Sequence, residues 1–232
     1  MRGGEIAILQ DNRSGRLSYW QANDHHSVAD RFGVSLAPYI HALFGLLCQK
    51  RPRRVLVIGC GGGSLATMLA RKDVAVTLVE VDPRAFAIAR RYFHMPASVE
   101  CRVGDGAEFL RGNSSRYDAI VLDAFAGGRV PRHFLTNRFF RLAKTRLKRG
   151  GIVLVNIVVG RDDDPLFAAM AKATAVWRNR RLLDVKSASN RNVIVAAGAV
   201  RNLKAPTLRM TPAIQAKRVA ETLARFFFRP LH

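Results

Sequence analysis

Three glycines at alternating positions, Gly59, Gly61 and Gly63, and three acids, Glu80, Asp105 and Asp123, are the residues of this chain whose types and spacing point to chemistry. The first glycine closes the apolar run Val55-Leu56-Val57-Ile58, and each acid stands at or just beyond the end of another such run. Glycine serves where φ must be positive or where a Cβ would block a close approach. A helical pattern from Leu65 to Arg71 follows the glycines. Backbone N–H groups at its start lack partners and carry partial positive charge, so they attract an anionic or polar ligand. Glu80, about 20 residues beyond the first glycine, can accept two hydrogen bonds from a ribose diol, each charge-assisted bond contributing about 1.5–3 kcal/mol. Its charge also repels a 2′-phosphate.

The spacing sorts the nucleotide classes. No lysine follows Gly63, which excludes a Walker phosphate loop. A dinucleotide fingerprint, Gly-x-Gly-x-x-Gly/Ala, matches in part, because Gly63 and Ser64 fill its fifth and sixth positions. Gly-x-Gly-x-Gly fits binders of adenosyl sulfonium nucleotides better. The bland alternative is a glycine turn that closes the β-α-β unit and holds nothing.

These residues need a scaffold, and the hydrophobic patterning supplies one. Residues 5 to 20 read as two short strands about a turn at Asp11-Asn12 and Ser14-Gly15. Helical spacing runs from Ser35 to Gln49 and stops before Pro52. Strands are expected at Arg54–Ile58, Ala75–Val79, Val99–Val103, Tyr117–Leu122 and Ile152–Val159, then at Arg181–Ser187 and Asn192–Ala197. Helices are expected at Pro83–Phe93, Ala107–Leu110, Arg138–Leu147 and Leu166–Trp177. Alternating strand and helix makes a mainly parallel sheet covered on both faces, with an antiparallel strand at one edge. Ligands on such sheets bind outside the carboxyl ends of the strands. That rule selects Gly59 to Gly63, Glu80, Asp105 and Asp123 together, although a loop aspartate such as Asp105 also suits a helix cap. The tail from Thr211 to Phe228 reads as an added helix capped by Thr211, with Pro212 in its first turn. Its cluster Phe226-Phe227-Phe228 must bury, either on the domain or against a second copy in a homodimer.

The 232 residues suffice for one α/β domain with a sizeable core, and 49% hydrophobic content is that of a globular chain. No apolar run approaches the ~20 residues of a membrane helix. The opening Met1-Arg2-Gly3-Gly4-Glu5 has no apolar signal core, so a cytoplasmic location is expected. Cys48, Cys60 and Cys101 form no ligand spacing, and no metal site is expected. The net charge of +21 invites a nucleic-acid or anionic-surface reading. The cations are dispersed, however, along Arg138 to Arg149, Arg178 to Arg181 and the tail from Arg201, without a nucleic-acid motif. A solvated basic surface is therefore the favoured reading.

Four segments carry a family resemblance. Val55-Leu-Val-Ile-Gly-Cys-Gly-Gly-Gly63, Val79-Glu-Val-Asp-Pro83, Val103-Gly-Asp-Gly-Ala-Glu-Phe-Leu110 and Leu147-Lys-Arg-Gly-Gly-Ile-Val-Leu154 resemble the glycine loop, ribose segment, adenine segment and following strand of the spermidine synthase (polyamine aminopropyltransferase) family. The run Asp123 to Thr136 looks most like the branch in which such a domain is fused to a transporter-like membrane half. The resemblance implies a Rossmann-like class I methyltransferase fold, α/β, with a mainly parallel seven-stranded sheet. It also implies a division into an N-terminal β-hairpin remnant (1–34), a nucleotide-binding domain (35–198) and a basic C-terminal helical extension (199–232). The implied cofactor is S-adenosylmethionine or its decarboxylated form, and the implied acceptor is a polyamine. Glu80 would hold the ribose hydroxyls. Asp105 would accept from the adenine amino group, with Gly106 and Ala107 beside the ring. Asp123 would line the floor beneath the sulfonium.

The departures from the family pattern are specific. Gly62 stands where the family's first loop has an aspartate that helps hold the aminopropyl donor. Ala126 replaces the aspartate that takes the attacking amine's proton, and Gly128 replaces the acid kept by the fused branch. Only a remnant of the polyamine-binding β-domain is expected, with Tyr19, Gln21, Asp24, His25 and His26. Three acids after the fifth strand, Asp162 to Asp164, offer a substitute for the lost charge, with a helix cap at Asp164 as the alternative. His133 offers a base from the loop after Asp123. The expected reaction is alkyl (aminopropyl) transfer from a sulfonium to an amine-type nucleophile. Methyl transfer on the same scaffold and a silent nucleotide-binding protein are the alternatives.

Overall fold

The computed structural model describes residues 5–21, 24–185 and 190–231. Three strands open the chain, β1 (Ile6–Gln10), β2 (Leu17–Gln21) and β3 (Asp24–Ala29), forming an antiparallel sheet in that order. The expected hairpin thus gains a third strand. Its alternation is weak in sequence because the polar residues His26 and Ser27 lie against the glycine loop after β4. Helix α1 (Pro38–Lys50) leads into the main sheet, β4 (Arg54–Ile58), β5 (Ala75–Glu80), β6 (Glu100–Val103), β7 (Tyr117–Leu122), β8 (Leu147–Val159), β9 (Arg180–Val185), β10 (Arg191–Gly198) and β11 (Phe226–Pro230). The helices between and after these strands are α2 (Ser64–Ala70), α3 (Pro83–Tyr92), α4 (Gly106–Gly112), α5 (Asn137–Thr145), α6 (Pro165–Ala173) and α7 (Ala216–Ala224).

The eight strands run in the order β11-β9-β10-β8-β7-β4-β5-β6. Pairs β4–β5, β4–β7, β5–β6 and β7–β8 are parallel, and β10 pairs antiparallel with both β8 and β9. One strand more is present than expected. The phenylalanine cluster extends the edge as β11, with Phe226 opposite Val185 and Phe228 opposite Leu183. Helix α7 begins at Ala216, with Gln215 and not Thr211 as its N-cap, and a strand takes over at Phe226. The pleat buries Phe226 and half-buries Phe228, while the alternate Phe227 is exposed. The expected strand end at Lys186-Ser187 lies outside the described residues.

Register decides which side chains face which layer. Val55 and Val57 of β4, with Ala119 and Val121 of β7, pack beneath α1, α2 and α7. Their neighbours Leu56, Ile58, Ile120 and Leu122 pack on the opposite layer with Phe139, Phe140 and Met170 from α5 and α6. Both faces of these strands are buried, which accounts for runs apolar at every position. Helix α5 places Phe139, Phe140 and Ala143 inward and its arginines and lysine outward, as its sequence requires.

Candidate active site

Backbone hydrogen bonds align the carboxyl ends of the parallel strands. Gly59 N donates to Val79 O at 2.9 Å, Asp123 N to Ile58 O at 2.8 Å, and Gly104 N to Glu80 O at 2.8 Å. These bonds extend the β4–β5, β4–β7 and β5–β6 ladders past the last paired residues. Asp123, Gly59, Glu80 and Asp105 therefore stand in spatial order along one mouth of the sheet. A cavity of about 500 Å³ opens at the other end of the strands, among Arg54, Glu100 and Tyr117, away from these acids.

Glycine is required in the loop after β4. Gly59, at φ +99, has the Asp123 carbonyl oxygen 2.2 Å from where a Cβ would lie. Gly61 and Gly63 also have positive φ, and Gly63 is the N-cap of α2. The loop is covered by β3. Ser27 Oγ accepts from Gly62 N at 2.7 Å, so the N-terminal sheet is bonded to the glycine loop. From the same sheet, Tyr19 donates to Gln21 Oε1 at 2.6 Å, and Gln21 donates to Asp82 at 3.0 Å. Burial pushes the Tyr19 hydroxyl up to about 12, and the Asp82 charge adds to the shift. The side chain of Asp24, expected at this rim, lies outside the described residues.

Each acid of the row has its own local partners. Glu80 accepts from Cys60 N at 3.0 Å on one oxygen, and from Val81 N and Asp82 N at 2.7 and 3.0 Å on the other. This fixes its carboxylate against the glycine loop. Asp105 Oδ1 caps α4 through Ala107 N and Glu108 N at 2.8 and 3.1 Å, so the helix-cap alternative describes this oxygen. Its Oδ2 meets His133 Nε2 at 2.8 Å. His133 thus sits with Asp105, on the β6 side of the mouth, and its ring lies over Phe134 with centroids 4.0 Å apart. That contact engages the imidazole nitrogen away from Asp123, where a base for an attacking nucleophile was expected. Gly106 is buried, and a Cβ there would fall 2.4 Å from Ile58 Cγ2, so the chain beside Asp105 lies flush on the core.

Asp123 occupies the remaining position in the row and differs from the others. Burial raises its carboxyl to about 7, and one hydrogen bond from Asn156 opposes that rise. Asn156 Nδ2 donates to Asp123 Oδ1 at 2.7 Å, and Asn192 Nδ2 donates to Asn156 Oδ1 at 3.1 Å. Tyr39, in the first turn of α1, is close enough for the Asp123 charge to add to the upward shift that burial gives its hydroxyl. A half-buried carboxyl that titrates near neutrality can stabilise a cation when ionised and accept a proton from a nucleophile.

Sequence reading missed Tyr39, Asn156, Asn192 and Ser27. Asn156 had a signal, since it is the one polar residue inside Ile152–Val159. Tyr39 and Ser27 had none, because their proximity to the site depends on how α1 and β3 dock. The three acids after β8 are all engaged. Asp164 caps α6 through Leu166 N at 2.9 Å, Asp163 pairs with Arg161, and Asp162 pairs with Arg191. Among the described residues, no group of three or more His, Cys, Asp or Glu side chains could hold a metal ion.

The model of the spermine/spermidine synthase domain matches residues 40–158, about half of the chain and every strand end described above. The chain belongs to this family. A polyamine aminopropyltransferase of Vibrio vulnificus is 37% identical over 127 residues, covering 51% of this chain and 42% of that protein, so the match spans less than half of the relative. The chain is similar throughout its length to a probable spermidine synthase from Corynebacterium glutamicum (TM-score 0.79, 17% identity, 90% of that chain). It is similar over 97% of its length to a spermidine synthase solved in complex with the transition state analogue AdoDATO (TM-score 0.67, 18% identity, 84% of that chain). An O-methyltransferase from Bacillus cereus, in complex with SAH, shares the fold at a TM-score of 0.52 and 20% identity over 70% of this chain and 82% of that one. The fold is thus the α/β class I methyltransferase type, and no helix among the described residues is long and apolar enough to cross a membrane.

Proposed function

We propose that the chain binds an adenosyl sulfonium nucleotide across the mouth of the sheet and transfers its aminopropyl group to an amine-type nucleophile. The observation that carries this reading is the row Asp105, Glu80, Gly59 and Asp123, held in order by the three backbone bonds at the strand ends. Glu80, already aimed by three N–H donors, receives the ribose hydroxyls. Asp105 Oδ2 receives the adenine amino group, with Gly106 and Ala107 against the ring. Gly59, Gly61 and Gly63 allow the nucleotide to approach the backbone. Asp123 lies beneath the sulfonium and, at about 7, can be ionised or protonated near neutrality. The nucleotide supplies the activated carbon. The chain's own part is to orient it, exclude water and receive the proton that the nucleophile loses.

Membership of the spermine/spermidine synthase family supports aminopropyl transfer, as do the polyamine aminopropyltransferases among the relatives. Methyl transfer is the second reading. The absence of a carboxylate at Ala126 favours it, because methyl transfer often needs no strong base.

Calorimetry with S-adenosylmethionine and its decarboxylated form tests both readings. Tighter binding of the decarboxylated form supports aminopropyl transfer, and tighter binding of the carboxylated form supports methyl transfer. Glu80→Ala and Asp105→Asn, the latter retaining a capping side chain, should each weaken binding by roughly tenfold or more. Unchanged affinity in folded variants would refute the proposed site.

A further inference from the structure

The turn that follows Asp123, where the family resemblance puts the acid that takes the acceptor's proton, carries cations and no carboxylate. From Ala124 to Arg161 the chain contains no Asp or Glu. The segment leaves Asp123 and reverses in a tight turn, where Ala126 N and Arg129 N each donate to the other residue's carbonyl at 2.8 and 3.3 Å. Gly127 and Gly128, at φ +56 and +70, form its tip. Arg129 therefore faces Ala126 across a hydrogen-bonded pair, with Cα atoms about 5.5 Å apart. The chain continues through Arg132 to His133, which reaches Asp105. Arg129 and Arg132 are exposed and make no side-chain hydrogen bond or ion pair with any described residue.

Among the described residues, the acids of this region are already engaged. Asp162, Asp163 and Asp164 are engaged with Arg191, Arg161 and the start of α6. Asp82, at the edge nearest β2, is paired with Arg84 and Gln21. Asp105 is taken up by His133 and the start of α4, and Asp123, the remaining acid, lies in the proposed site beneath the reacting centre and not out along the acceptor.

We infer that the acceptor is an amine bearing an anionic group, a carboxylate or phosphate received by Arg129 and Arg132, and not a diamine or polyamine. This inference rests on the proposed nucleotide site and names the substrate class of its second half. In the reaction, the amine lone pair forms a bond to the carbon attached to sulfur. The C–S bond breaks and its electron pair stays on sulfur, which becomes a neutral thioether. The proton lost from nitrogen passes to the Asp123 carboxylate and then to solvent.

The test uses the whole chain saturated with 5′-methylthioadenosine, whose binding is measured first. Three acceptors of matched length are then titrated, namely 1,4-diaminobutane, butylamine and 4-aminobutanoate, with O-phosphoethanolamine to separate phosphate from carboxylate. At least one anionic amine should bind about tenfold more tightly than the diamine, with butylamine between them, a ratio that falls at high salt. Arg129→Glu combined with Arg132→Glu should reverse the order. The control pair Arg53→Glu and Lys72→Glu, exposed at the far end of the strands, makes the same change in net charge and should preserve it. Tighter binding of 1,4-diaminobutane by the unaltered chain would overturn the inference. So would a ratio that the two reversals leave unmoved or that the control pair shifts equally. Failure of 5′-methylthioadenosine to bind would instead remove the nucleotide site, and the inference with it, and is read in the separate first titration.

Discussion

Asn156, fully buried in the middle of the sheet, donates its side-chain amide to Asp123 at 2.7 Å and accepts from Asn192 at 3.1 Å. This single donor only partly offsets the burial that raises the Asp123 carboxyl to about 7. A bound sulfonium is a permanent cation and favours the ionised carboxylate. Its affinity should therefore rise with pH up to about 7 and level off above it, with a slope of up to tenfold per unit below that point. The thioether product is neutral, so its affinity should show no such rise, and Asp123→Asn should flatten the sulfonium profile. Calorimetry across pH 5.5–8.5 checks this. The same shift acts on folding. Relative to its ordinary value of 3.8, the raised carboxyl contributes stability that is present below about pH 4 and lost as pH rises through about 7.

His133 and the adenine amino group compete for one oxygen, since Asp105 Oδ1 is committed to capping α4. Removing the imidazole frees Oδ2 without disturbing the cap. His133→Ala should tighten binding of adenine nucleotides by a few-fold and leave inosine analogues unaffected, because these lack the amino donor. A His133→Ala variant that instead loses affinity for both would mean that the ring is part of the nucleotide pocket.

How much of this was legible in the residues divides along physical lines. Strands β4, β5, β7 and the latter part of β8 were readable because runs buried on both faces are largely apolar, and the row of acids because residues that follow such runs fall at the carboxyl ends of the strands. The third strand, β3, was not readable, since its cover comes from the glycine loop through Ser27 and Gly62. Nor was β11, because three phenylalanines state that they must bury and not where. The role of Asp105 divided in two, with one oxygen capping and one open to bonding. The placement of His133 beside Asp105 and not Asp123 depends on the path of the loop after β7, which no periodicity encodes.

The β11 edge is held by charge as well as by pairing. Asp184 accepts from Arg191 Nε at 2.8 Å and from Arg229 Nε at 2.8 Å, while the side chains of Asp184 and Arg191 are only 3% and 4% exposed. Removing the shared carboxylate leaves two guanidiniums without their common partner. Asp184→Asn should cost about 3–5 kcal/mol in chemical denaturation and expose the segment after Leu223 to proteolysis. Nucleotide affinity per folded molecule should change little, since the triad lies beyond β8.

The Gly59 position tests the scaffold of the site directly. A methyl group there would meet the Asp123 carbonyl at 2.2 Å while the backbone stays at φ +99. Gly59→Ala should destabilise the fold by several kcal/mol, through backbone displacement and strain together. Gly127→Ala, at an exposed turn with open space around the new Cβ, should cost only about 1 kcal/mol. Thermal melts of the two variants side by side check the difference.

Ala126 is exposed in the turn after β7, three residues beyond Asp123. Ala126→Asp therefore places a carboxylate opposite Arg129 at little cost in stability. Two effects should follow. A diamine acceptor gains a local counter-charge, and its attacking nitrogen gains a proton acceptor of a kind worth about 10²–10⁴-fold in rate. Because Arg129 will compete for the new carboxylate, the gain in aminopropyl transfer to 1,4-diaminobutane should lie nearer tenfold, growing when Arg129→Ala is added. Nucleotide affinity should remain within about twofold, since Glu80, Asp105 and Asp123 are untouched. Initial rates of thioether release, measured for the single and double variants against the same diamine, decide it. A rate unmoved in both would mean that proton removal at this turn does not limit the reaction.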